Sequence, residues 1–220
     1  MQAQAIAGTI GDMTDHTTQE LIELGRDREA VAAATRGRPR DGAEQLDEIL
    51  PMLEAIVAQI TDDQLDLPTP CASFTVAGVL EHMIGGATAF APAFRGDSDP
   101  AAPPTGSPQE RFRLAMTELA GAVHAPGAQD RTISAPFGEV PGAVFARYVA
   151  FDGLVHGWDL ATATGQTYAP ADALVIEVDG FARSLLAPEM RDGDTFAAAI
   201  DVPADAAPLQ RLVAFSGRNI

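Results

Sequence analysis

From residue 43 onward the apolar side chains recur at spacings of three and four. Only a helix brings positions i, i+3, i+4 and i+7 onto one stripe, so this spacing commits the chain to amphipathic helices that bury their stripes against one another. The clearest stripe runs over 43–60 through Leu46, Ile49, Leu50, Leu53, Ile56, Val57 and Ile60. Pro51 falls inside it and predicts a kink or a later start. A second helix is predicted over about 75–94, with Thr75 as its N-cap. A third covers about 108–123, with Phe112, Met116, Leu119 and Val123 in line. A fourth covers about 141–163, where Pro141 suits the first turn and Gly165 the stop.

The remaining segments organise around these four. Residues 61–74 and 96–108 are Pro-rich loops, and 125–140 reads as irregular with Thr132-Ile133-Ser134 extended. Pro170 opens a fifth helix to about Leu186, 194–202 reads as a strand, and Pro208–Phe215 as a short last helix. Residues 1–16 show no period and are expected to be poorly ordered, 17–35 form at best a weak helix, and Arg36–Gly42 reads as a linker. The expected fold is mainly α: a four-helix bundle over 43–187, an N-terminal extension over 1–42, and a small C-terminal α+β appendage over 188–220.

Charge narrows the partners. The chain carries 31 Asp and Glu against 14 positive residues, all of them Arg, for a formal net charge of -17. The largest basic cluster is Arg36-Gly37-Arg38-Pro39-Arg40. Nucleic acid and anionic membrane surfaces are therefore poor partners. No stretch approaches ~20 uncharged apolar residues, so no membrane span is expected. A single cysteine, Cys71, leaves no internal disulfide. With no secretory signal in the first 30 residues, the expected location is the cytoplasm.

The chemistry concentrates in the fourth predicted helix. Asp152 and His156 stand four residues apart inside an apolar segment, so they share one helical face. Neither group belongs in such a stripe without a partner. His82 lies about two turns into the second predicted helix, among Val79 and Gly86. If His82 and His156 both face the bundle interior, they and Asp152 meet as two imidazoles and a carboxylate, a three-ligand metal site with an open position. The alternative is a pair of hydrogen-bonded core histidines, with Asp152 paired to Arg147 or Arg113. Asp159, at i+3 from His156, is a third ligand, a partner that orients the His156 ring, or a surface charge; the orienting role is preferred. Glu81 should point away into solvent, His16 lies in the tail, and His124 ends the third helix. Cys71, before the second helix, reads as an inert packing residue, although a helix N-terminus lowers a thiol pKa. No residue is assigned a catalytic role beyond the metal.

Several of these residues fall in longer motifs: Thr69-Pro70-Cys71, Phe74-Thr75-Val76, His82, the run Leu154-Val155-His156-Gly157-Trp158-Asp159-Leu160-Ala161, and a tail from Pro203 through Pro208, Arg211, Leu212 and Phe215 to Gly217-Arg218. In combination they resemble the mycothiol-dependent maleylpyruvate isomerase-type proteins of the DinB/YfiT-like superfamily. The resemblance covers about 43–218. It implies a DinB-like four-helix bundle holding a divalent metal, commonly zinc, through His82, Asp152 and His156. It also implies a small thiol cosubstrate and a small electrophile as partners. The chain departs from the pattern at Asp152, where the best-known member has Glu, and at Phe74, where many relatives have Trp. Two function classes remain: a metal-dependent thiol transferase or isomerase, and a non-catalytic metal- or ligand-binding bundle. An enzyme of this kind should show a polar anchor near the metal, and Arg147 and Arg113 are the nearest candidates in sequence. The sequence leaves the oligomeric state unassigned.

Overall fold

Asp41 starts the first helix. The Glu44 backbone N–H donates to Asp41 Oδ1 at 2.9 Å, and the Asp41 N–H donates to Glu44 Oε2 at 2.9 Å. This reciprocal box satisfies two N–H groups that the helix itself leaves unpaired. Helix α1 then runs over Gly42–Val57. It passes through Pro51 without the predicted late start. Both Pro51 and Asp47 are exposed, so water can take the carbonyl that the missing proline N–H leaves over.

The computed structural model describes residues 38–97, 99, 101–135, 137–186, 191 and 196–220. The expectations for residues 1–16 and 17–35 lie outside the described residues. The chain divides into two units, Met1–Pro39 and Arg40–Ile220, and every described helix and strand belongs to the second.

After a 3-10 turn at Asp62–Gln64, α2 spans Val76–Arg95 with Thr75 as its cap, and α3 spans Pro108–Val123 behind a Ser107–Glu110 capping box. Strands β1 (Thr132–Ala135) and β2 (Gly138–Pro141) form an antiparallel hairpin with Ile133 opposite Val140. Only the first strand was legible as extended; its partner lies in what reads as irregular sequence. Pro141 closes β2 and also caps α4, Gly142–Thr164, which stops at Gly165 in the left-handed region, φ 70°. Helices α5 (Asp172–Leu185) and α6 (Pro208–Phe215) complete the elements. The strand predicted over 194–202 does not form in its described part, 196–202. There the Ile200 N–H donates to Ala214 O, and no second strand lies alongside.

Packing follows the stripes. Helix α1 lies along α4 and α2 along α3, while α1–α3 and α2–α4 contacts close the ring. This is the mainly helical, DinB-like bundle that the resemblance implies. Leu46, Ile49, Leu53, Leu80, Phe94, Phe112, Phe145 and Leu154 fill its core. Helix α5 covers the outer side of α4, and α6 packs on both. Helix α4 is thus surrounded, and residues around its whole circumference are buried, from Phe151 and Gly153 to Leu154 and Val155. Among the described residues no helix is long and apolar enough to cross a membrane.

The α1–α4 seam leaves no room at Gly42. A Cβ built there would stand 2.5 Å from the Arg147 backbone nitrogen and 2.6 Å from Ala146 Cβ. Gly42→Ala should therefore cost about 2 kcal/mol, because a backbone atom cannot swing away. Gly85→Ala is the control: nothing lies within 4 Å of its added Cβ, and the change should stabilise α2 by up to about 1 kcal/mol. Urea midpoints of the two variants, read against the parent, should move in opposite directions.

Candidate metal centre

Helix α2 presents His82, and one turn of α4 presents Asp152 and His156. Both imidazole Nε2 atoms lie 3.5 Å from the same oxygen, Asp152 Oδ1. The three potential ligand atoms all fall within 4.8 Å of one another. The rings meet edge to face, with centroids 5.0 Å apart at 65°. Phe74, from the loop that leads into α2, stacks on His82 at 5.3 Å and sets its edge against His156 at 6.2 Å. The phenyl ring thereby packs against the face of the His82 imidazole.

The trio runs from core to surface. The His156 side chain is 5% exposed, Asp152 24% and His82 40%. His82 faces the interior only in part. The buried face of α2 is Val79, Leu80, Met83, Ile84 and Ala87. His82 stands on the flank of that face: one edge reaches Asp152, Phe74 stacks on the ring, part of the side chain lines the bundle cavity, and 40% of it meets solvent. The carboxylate raises the His82 pKa above the ordinary imidazole value through its hydrogen bond, while burial works against it. For Asp152 burial pushes the pKa up, but His156, His82 and Arg218 together outweigh it and hold the carboxyl below its ordinary value. Asp152 is therefore ionised at neutral pH.

His156 is oriented from behind. Its Nδ1 lies 2.9 Å from Asp159 Oδ2. A carboxylate oxygen accepts, so Nδ1–H donates to Asp159, and Nε2 is the ring nitrogen left facing Asp152 and His82. Asp159 is fully buried, and Arg218 neutralises it with two prongs: Nη2 to Oδ2 at 3.1 Å and Nε to Oδ1 at 3.4 Å. Arg218 Nη1 also donates to Ser216 O at 3.2 Å. Sequence reasoning missed this role for Arg218. The signal was present, since Asp159 in an apolar helix demands a cation and Arg218 closes the tail motif. The separation of 59 residues hid the pairing.

The other candidates go elsewhere. The Arg147 guanidinium lies 4.6 Å over the Phe181 ring, on the α5 side of α4. Arg113 lines a separate groove with Glu54 and Val57. Neither pairs with Asp152, and neither is a polar anchor at this centre. Glu81 is exposed and held by Arg111 at 2.6 and 2.7 Å. His124 pairs with Asp47 at 2.9 Å on the surface. His16 lies outside the described residues. Cys71 is half-buried, and burial raises its thiol pKa, so the helix N-terminus does not make it a thiolate. His82 and Asp152 also line a cavity of about 110 Å³ within the bundle.

Removing Arg218 should strand a buried charge. Arg218→Met is expected to cost about 3 kcal/mol in denaturant unfolding, the usual penalty for breaking a buried ion pair from one side. Adding Asp159→Asn to that variant should recover part of the loss, because the remaining amide no longer needs a cation. A double-mutant cycle measures the coupling, and additive losses would show that the two side chains do not act as a unit.

The family model described as the mycothiol maleylpyruvate isomerase N-terminal domain matches residues 46–161, a span that includes His82, Asp152 and His156. The chain is also 36% identical over 172 residues to two proteins from strains of Mycobacterium tuberculosis, named "Uncharacterized protein Rv0738" and "Uncharacterized protein MT0763". Each alignment covers 76% of this chain and 91% of the relative. No solved structure matches. With more than half of its length inside the family model, the chain belongs to the mycothiol maleylpyruvate isomerase N-terminal domain family.

Proposed function

We propose that the protein is a divalent-metal-dependent thiol S-transferase or isomerase. In this reading His82, Asp152 and His156 hold the ion, zinc, and a small thiol of the mycothiol type attacks a small electrophile. The observation that carries it is the convergence of two imidazole Nε2 atoms on one carboxylate oxygen, each at 3.5 Å. Tetrahedral ligands at ordinary zinc bond lengths stand about 3.3 Å apart, so this donor set fits with small adjustments. The donors also fit in kind: an imidazole whose Nδ1 is engaged by Asp159 and whose Nε2 is left to ligate, a second imidazole, and a carboxylate.

When bound, the ion supplies one thing, a lowered pKa for a thiol at its open position. The chain's own residues do the rest. Asp159 and Arg218 keep the His156 Nε2 aimed outward. Phe74 packs against the face of His82. The exposed side of His82 gives solvent and cosubstrate access. Cys71 stays protonated, so the attacking sulfur is external. In transfer, a C–S bond forms and the displaced group leaves with the electron pair and takes the thiol proton. In isomerisation, the same C–S bond forms across a double bond and breaks again after rotation, which returns the thiol.

One observation favours a second reading, a non-catalytic binding bundle. No arginine lines the cavity beside the centre, so an anionic cosubstrate finds no fixed cation there.

Metal analysis of protein purified without added metal or chelator separates the two readings from a bare bundle. The wild type should carry close to one zinc per chain, and His156→Ala should lose it, because two ligands seldom hold a divalent ion against water. Cys71→Ala should keep both metal and turnover of whichever small electrophile the wild type accepts with a small thiol. Loss of turnover there, with metal intact, would make Cys71 the nucleophile. Metal with no turnover across several thiols and electrophiles favours the binding reading.

Zinc affinity should also depend on pH. His82 must shed its proton to bind, and Asp152 raises its pKa. Affinity should therefore fall as pH drops through that raised value and level off above it. Chelator competition between about pH 5.5 and 8, the range in which histidines titrate, reads this out. A flat profile would remove His82 from the ligand set.

A further inference from the structure

The bundle holds a cavity of about 110 Å³ between α1, α2, α3 and α4. Of its fifteen lining residues only His82, Tyr148 and Asp152 carry polar nitrogen or oxygen in their side chains. These three belong together: His82 reaches Asp152, and Tyr148 precedes Asp152 by one turn on the same face of α4. The rest of the wall is apolar, with Leu50, Met83, Phe90 and Met116 among it. The cavity therefore has an apolar body with its polar groups gathered beside the candidate metal centre.

Its origin is a missing side chain. Gly86 lines the cavity one turn after His82, and a Cβ built there meets nothing within 4 Å. Ala87, its neighbour on α2, is short as well. A helix interior loses up to about 1 kcal/mol by holding Gly where Ala would serve. Here that choice leaves space within reach of Asp152.

We infer that this cavity takes the apolar body of a small, uncharged electrophile, and that the second substrate is such a compound rather than a dicarboxylate. The inference rests on the transferase reading above for the word substrate, while the cavity's ligand class rests on its lining alone. The volume is somewhat below the ~150 Å³ of an apolar cavity that accepts benzene, but the cavity is partly open, so it suits a single small ring of about six or seven heavy atoms. Of a dicarboxylate's two charges at most one could reach the metal centre, and the other would lose its hydration in the apolar body with no cation to replace it, at a cost of several kcal/mol. The nearest buried arginine, Arg218, is already engaged by Asp159. An uncharged carbonyl oxygen, in contrast, finds in Tyr148 a neutral hydroxyl donor at the polar end.

The test uses fluorobenzene as the probe, followed by fluorine NMR line broadening, on the full chain with its zinc content measured in parallel. Wild-type protein should bind fluorobenzene both as purified and after chelation. Gly86→Leu should weaken binding at least about tenfold by filling the cavity with its own apolar side chain, with zinc content and thermal midpoint undiminished. Val149→Phe fills the same space from α4 and should act likewise should the first variant fold poorly. Excess maleate should leave the fluorobenzene signal unchanged. Absence of binding to wild type, equal binding by both filled variants, or displacement by maleate would each overturn the inference. Zinc-free wild type whose fluorobenzene binding is lost in Gly86→Leu would instead sink the metal reading and keep the cavity as a ligand site.

Discussion

A carboxylate with no exposure to water organises this protein's candidate site. Asp159 sits inside α4 between His156 and Arg218, at 2.9 and 3.1 Å. A lone buried charge there would cost far more than a domain's margin of stability, so the two partners are obligatory. Their geometry then has two consequences. Arg218 pins the C-terminal segment that follows α6 to α4. His156 is fixed in one orientation, with Nδ1 engaged by Asp159 and Nε2 aimed at Asp152. The tail and the site are thus coupled through a single side chain.

The choice of α4 for this role follows from its packing. The other three bundle helices keep one face in solvent, and a polar group on them can turn outward. Helix α4 is flanked by α1, α2, the hairpin, α5 and α6, so its polar residues must find partners within the protein. Asp152, His156 and Asp159 do so as a chain: Asp159 satisfies His156, and His156 faces Asp152, whose oxygen also faces His82. The chain of contacts ends at the 40% exposed His82. Burial thus falls along the series from Asp159 to His82, which places rigid support at one end and access at the other.

The legible parts of the structure were those carried by period and by caps. The stripe from Leu46 to Val57, the Thr75 cap and the Gly165 stop each rest on interactions within one or two turns, and those are what a sequence displays. Helix α4 was found by its apolar run, even though its buried residues lie on all sides. The hairpin partner Gly138–Pro141 was not legible, because a four-residue strand with Gly and Pro has no period to read. The strand expected near 194–202 shows the opposite error: its described part has strand-like residues, but no neighbouring edge exists to pair them. The His82–Asp152–His156 grouping was suggested by the i, i+4 spacing and the family motifs. Arg218 was invisible to spacing, since its partner is 59 residues away. The outward directions of Arg147 and Arg113 were equally beyond reach, because they depend on where Phe181 and Glu54 come to lie.

Asp152 in place of the longer glutamate raises a question of reach that the geometry resolves. Asp152 and His156 share one helix face, so their separation is set by one helical turn rather than by the bundle's width. Only His82 must bridge between helices, and its Nε2 comes no farther from Asp152 Oδ1 than the His156 Nε2 does, 3.5 Å in each case. A shorter carboxylate arm therefore keeps the three donors within reach of one ion. It also keeps the carboxylate close to the α4 backbone, leaving the space toward Gly86 to the cavity. The same residue that stands in the proposed donor set thus lines the wall of an apolar chamber, and under the proposed function burial of the rest of a ligand would bring its reacting carbon to the candidate metal centre.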